Sequence, residues 1–151
     1  MDYKTKGRLP NDRGNGQRPK NEGLERVWNS ANFQGKWIKE GIDDQFPVFA
    51  ETIGKFMAEN GLTSSKIRSI YGEIKRIQMG DYEKEKASFF LLKPKVAYAL
   101  GRDKSIVGLE MFKKMFDQCF DFVDGKSSFL HFCDVMEAVL AYHKFYVKKD
   151  N

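Results

Sequence analysis

From Asp43 onward the chain predicts an all-α fold, a compact bundle of about five helices behind a disordered basic N-terminal tail. Three observations carry that expectation. Apolar residues recur at spacings of three and four in five successive segments. Short links holding glycine or aspartate separate those segments, and no stretch alternates with the strand period of two.

Residues 1–26 are rich in Gly, Pro, Asn, Lys and Arg, with Leu9 and Leu24 the only aliphatic side chains after Met1. Such a segment buries too little surface to offset its ordering entropy, and 1–26 is expected to be a disordered tail. Residues 27–42 hold Trp28, Phe33 and Trp37. That much aromatic surface predicts a segment that docks onto the rest of the domain or onto a partner. Residues 43–151 form the helical bundle domain.

The first bundle helix is expected from about Gln45 to Asn60, on the repeat of Phe46, Phe49, Ile53, Phe56 and Met57. Pro47 suits its first turn and Gly61 the left-handed cap after its end. A second helix follows, with Thr63 or Ser64 as cap and Ile67, Ile70, Tyr71, Ile74 and Ile77 as one apolar stripe ending near Gly80. The third covers about Tyr82 to Leu100, and Pro94 inside it predicts a kink or a division. The fourth, about Ser105 to Val123, repeats Leu109, Phe112, Phe116, Cys119 and Phe120. Asp124-Gly125 makes a turn into the fifth, about Ser127 to Tyr146.

At 151 residues the chain is one domain long and large enough for a helical core without staples. Two cysteines, Cys119 and Cys133, lie within apolar patterns and read as reduced core residues. The start has no apolar signal region, and no apolar run reaches the roughly 18 residues that a membrane span needs. A soluble, cytoplasmic protein with no membrane partner is the expectation.

Chemistry is hard to find. The two histidines, His131 and His143, fall short of a zinc set, and His131 and Cys133 point to different helix faces. Asp43 with Asp44, and Glu83 with Glu85, read as caps and solvated charges before magnesium ligands. No nucleophile elbow, Walker loop or dinucleotide fingerprint occurs. The expectation is no enzyme, no metal and no cofactor.

Charge is more informative. Six of the 26 basic residues and two of the 21 acids fall in residues 1–20, leaving 20 basic and 19 acidic groups in the remainder. A nucleic-acid surface on the folded part must therefore come from local arrangement. In SSKIRSIYGEIKRIQ the isoleucines face one way, and Arg68, Gly72, Lys75 and Arg76 fall on the other side. A mid-helix glycine costs roughly 1 kcal/mol relative to alanine. Gly72 therefore marks either close approach of a backbone or phosphate, or crowding by a neighbouring helix. In the third helix Lys95 and Arg102 share a face beside Tyr98, and Lys93 precedes the proline. Such strips suit phosphates and 2′-hydroxyls of an A-form duplex, though a solvated helix face looks the same.

The same segments carry a resemblance. ENGLTSSKIRSIYGEIKRIQ, then FFLLKPKVAYALGR, then FCDVMEAVLAYHKFY together resemble the small helical subunit of type III-A CRISPR effector (Csm) complexes, the second protein of the Csm series. The similarity runs from about Phe46 to Tyr146, with L-K-P-K-x-A-Y-A-x-G-R and A-x-L-A-Y-H-K-F-Y its most specific parts. It implies a non-catalytic five-helix bundle, present in several copies along a ribonucleoprotein filament beside the backbone and large subunits. The implied partners are CRISPR RNA and target RNA. Carried over by position, Lys66, Arg68, Lys75 and Arg76 form one group of duplex contacts, and Lys93, Lys95 and Arg102 a second. Tyr98, Tyr142, His143 and Tyr146 are expected to pack the bundle. The small subunit of the related type III-B (Cmr) complex, and a protein-only adaptor binding through Trp28, Trp37 and exposed Phe residues, are the alternatives.

Overall fold

A computed structural model describes residues 22–148, and within them the chain is helical with no strand. Among the described residues there are seven helices: α1 (Glu22–Ala31), α2 (Lys36–Lys39), α3 (Phe46–Glu59), α4 (Ser64–Met79), α5 (Tyr82–Arg102), α6 (Val107–Phe120) and α7 (Lys126–Tyr146). The five expected bundle helices are α3 to α7. The two additional ones lie in the aromatic segment and at the end of the supposed tail.

The tail boundary at residue 26 is therefore corrected. Leu24, Trp28 and Ala31 recur at helical spacing and are all buried, while Glu22 and Glu25 sit in the first turn, where carboxylates favour the helix dipole. Asn32 at φ 60° ends α1, and α2 brings Trp37 and Ile38 into the core. Residues 1–21, the rest of the expected tail, lie outside the described residues.

α7 is the axis of the bundle. Its most extensive packing is against α3, and α2, α4 and α5 also lie on it, while α6 covers α3 and α5. The close approach of α3 and α7 depends on Gly54: a Cβ there would lie 2.7 Å from the Val139 carbonyl oxygen and 2.7 Å from Tyr142 Cβ. The core is unusually aromatic. Trp28, Phe33, Trp37, Phe46 and Phe49 interlock at one end, with Trp37 and Phe46 centroids 5.2 Å apart. Phe89, Phe116, Phe120, Phe129 and Phe132 fill the other, with Phe89 and Phe120 stacked at 4.6 Å.

Gly61, at φ 92°, takes the left-handed position expected of it, and the Leu62 amide reaches back to the Met57 carbonyl at 3.1 Å. Thr63 occupies the N-cap of α4, yet its hydroxyl meets Ser65 Oγ at 3.1 Å and makes no cap bond. α5 runs unbroken past Pro94, losing one backbone bond without dividing. α6 stops at Phe120 because the chain turns there and lays the Phe122 ring over Gly35, where no Cβ would fit. At the Asp124-Gly125 turn, Ser128 Oγ accepts both backbone amides, at 2.8 and 3.1 Å, and starts α7.

Candidate nucleic-acid interface

α4 positions the first group of candidate residues. Ile67, Ile70, Ile74 and Ile77 are buried against the bundle, which turns the polar side of the helix outward. α5 returns alongside it, and α7 flanks its other edge. Two surface grooves result, one on each side of α4.

The groove between α4 and α5 encloses about 550 Å³. Lys66, Lys95 and Arg102 line it with Tyr98, Leu91 and Pro94. Lys66 is bound to Asp103 at 2.8 Å, whereas Lys95 makes no ion pair among the described residues. The Arg102 guanidinium lies 5.9 Å from the Tyr98 ring centroid, a cation–π contact at the rim. Tyr98 is 69% exposed, so its expected packing role is corrected. Tyr142, His143 and Tyr146 do pack: Tyr142 lies against the core, His143 is buried, and the Tyr146 hydroxyl donates to Glu51.

The groove between α4 and α7 encloses about 490 Å³. Arg68, Tyr71 and Gly72 come from α4, and Glu137, Ala141 and Lys144 from α7. Neither Arg68 nor Lys144 has an ion-pair partner among the described residues. Lys75, farther along α4, lies 4.0 Å from Glu137 and 5.9 Å from the Tyr71 centroid.

Arg76 and Lys93 stand apart from both grooves. Arg76 binds Glu73 at 2.8 Å and Glu85 at 3.1 Å. These bonds hold the guanidinium pKa above its usual range, Glu73 contributing most, and Arg76 in turn holds the Glu73 carboxyl below the ordinary carboxylate value. Three of the five guanidinium N–H donors are taken in this way, and two carboxylates offset its charge, which weakens its pull on a phosphate. Lys93 meets Asp121 at 3.4 Å and lies over the Phe120 ring at 5.2 Å. The seven candidates thus form no single stripe. Lys66, Lys95 and Arg102 share one groove, Arg68 and Lys75 border the other, and Arg76 and Lys93 are held by local carboxylates. Lys144, inside the most specific C-terminal motif, escaped sequence reasoning. Its signal was present, since it stands seven residues from Glu137 and three from Ala141 on one edge of α7.

Other polar groups are spoken for. His131 Nδ1 and His143 Nε2 bond the carbonyls of Ile38 and Leu62 at 2.8 and 2.6 Å. Asp43 takes the Trp37 indole at 2.8 Å and Lys36 at 3.4 Å, and Glu83 takes Lys86 at 3.2 Å. Among the described residues, no cluster of three His, Cys, Asp or Glu side chains could hold a metal, and no helix is long and apolar enough to cross a membrane.

The family model described as Csm2 Type III-A matches residues 43–149. The chain belongs to this Csm2 family. It is therefore a small subunit of type III-A CRISPR complexes, and the match favours type III-A over the type III-B alternative. No curated protein and no solved structure matches. In this Csm2 chain the matched span opens just before α3 and takes in both grooves, while α1 and α2 precede it.

Proposed function

We propose that this chain is a non-catalytic RNA-binding scaffold subunit of a cytoplasmic type III-A complex in antiviral defence. Cations of the grooves beside α4 hold the duplex of CRISPR RNA and target RNA. The supporting observation is that Arg68, Lys95 and Lys144 line those grooves without ion-pair partners among the described residues. Contacts of this kind meet phosphates and 2′-hydroxyls, so binding is independent of sequence and weakened by salt.

Scaffolding falls to exposed apolar side chains, which contact the backbone and large subunits and further copies of this chain. Phe90 and Leu91 on α5 are 53% and 57% exposed, and Phe145 on α7 is 76% exposed. Trp28 and Trp37 are buried in the chain's own core, so a protein-only adaptor would have to bind through the exposed Phe residues alone.

The test is a tagged pull-down from the native host at moderate salt, with the co-purifying proteins weighed and the RNA sequenced. Short RNAs with a repeat-derived 5′ end, accompanied by a ladder of larger subunits, are expected. Protein partners without RNA would replace this reading with the adaptor.

A further inference from the structure

Gly72 lies inside the exposed side of α4, where glycine weakens the helix. Crowding would explain it, as it explains Gly54 and Gly108, whose added Cβ atoms would meet other parts of the chain at 2.7 and 2.5 Å. A Cβ on Gly72 meets nothing within 4 Å. Its φ is not in the left-handed region either. The folded chain therefore gives no reason for the missing side chain.

The surroundings supply one. Gly72 lines the α4/α7 groove together with Arg68, one turn before it on α4, and Lys144 on α7; Glu137, which Lys75 approaches at 4.0 Å, lines it as well. Both cations lack ion-pair partners among the described residues, and Ala141, on the α7 side of the groove, is also small. Two free cations beside a bare stretch of helix backbone suit an anionic chain that must come close to be held from both sides.

We propose that the α4/α7 groove seats the sugar–phosphate backbone of an RNA strand, with Gly72 its point of closest approach and Arg68 and Lys144 its flanking contacts. This rests on the RNA-binding reading above and makes Lys144 a binding residue and Gly72 a positioning residue. A side chain at position 72 lifts the strand away from both cations without altering the charge of the groove.

The test uses the full-length chain assembled with its partner subunits and guide RNA, and a matching target RNA titrated at several salt concentrations. Gly72→Ala is expected to raise the melting temperature of the free chain by a few degrees. Gly72→Leu, whose bulk faces open space, is expected to fold as well. Both should weaken target-RNA retention, about threefold for Ala and tenfold or more for Leu, without changing the salt slope. Lys144→Ala should weaken retention and reduce the slope by about 0.7 to 0.9 for each copy of the subunit on the RNA, one phosphate contact per copy. Wild-type retention and slope in all three variants, with Lys95→Ala still weakening binding, would overturn the groove assignment alone. A complex that holds RNA equally well without this subunit would overturn the RNA-binding reading with it. Failure of Gly72→Leu to join the complex before RNA is added would mean that a protein neighbour fills the groove, which also overturns the proposal.

Discussion

His143 Nε2 lies 2.6 Å from the backbone carbonyl oxygen of Leu62, 81 residues earlier in the chain. A carbonyl can only accept, so the ring carries its proton on Nε2 and donates. The bond ties α7 to the turn that Gly61 makes between α3 and α4, and thereby sets the edge of α4 relative to α7. Both partners are buried, so neither can turn to water instead.

His143→Ala is accordingly expected to destabilise the chain by about 2–4 kcal/mol, combining an unsatisfied buried carbonyl with a cavity. His143→Gln, which can still donate, should lose less. Urea unfolding followed by circular dichroism measures both.

Gly54 and Gly72 should respond to alanine with opposite signs. At Gly54 the methyl would meet Val139 and Tyr142 at 2.7 Å, forcing α3 off α7 at a cost of about 1–3 kcal/mol. At Gly72 it meets open space and should add about 1 kcal/mol of stability through helix propensity. Paired thermal melts of the two variants check this.

Much of this architecture was legible in the sequence because it is local. The isoleucine stripe of α4 and the capping glycine at 61 each need only a few neighbouring residues to be recognised. α1 was missed because Leu24 and Trp28 stand at the edge of a segment whose overall composition is that of a coil. The candidate site was less legible, because a cation's availability depends on distant partners. Arg76 is engaged by Glu85 from the next helix, and Lys66 by Asp103, 37 residues away. Tyr98 was expected to pack because a motif tyrosine more often fills a core than meets a ligand, although its place beside Lys95 and Arg102 already pointed outward.

The thiols of Cys119 and Cys133 should resist labelling. Both are buried, and burial raises their pKa values, that of Cys133 to about 12. Almost no thiolate exists near neutral pH, and alkylating reagents should react only as fast as the chain opens. Rapid labelling of the folded protein at either cysteine would contradict the packing of α6 and α7.

Acid should loosen the Glu73–Arg76–Glu85 link. The folded carboxyl of Glu73 titrates below its unfolded value, so its stabilisation is present above the ordinary carboxylate range and is lost as pH falls through the folded value. The group is close to solvent, so the effect is small and screened by salt. Melting temperatures of wild type and Arg76→Ala should differ near neutral pH and converge in acid, with less difference at high salt.

The most direct measurement of the central claim is target-RNA retention against salt concentration, for complexes carrying wild-type chain or the triple variant Arg68→Ala, Lys95→Ala, Arg102→Ala. All three side chains are exposed, so the helical fold should persist in the variant. Weaker retention for every target sequence, with the salt slope reduced by about 2 to 3 for each copy of the subunit on the RNA, is the predicted result. Unchanged retention and an unchanged slope in a correctly folded variant would contradict RNA binding by these grooves.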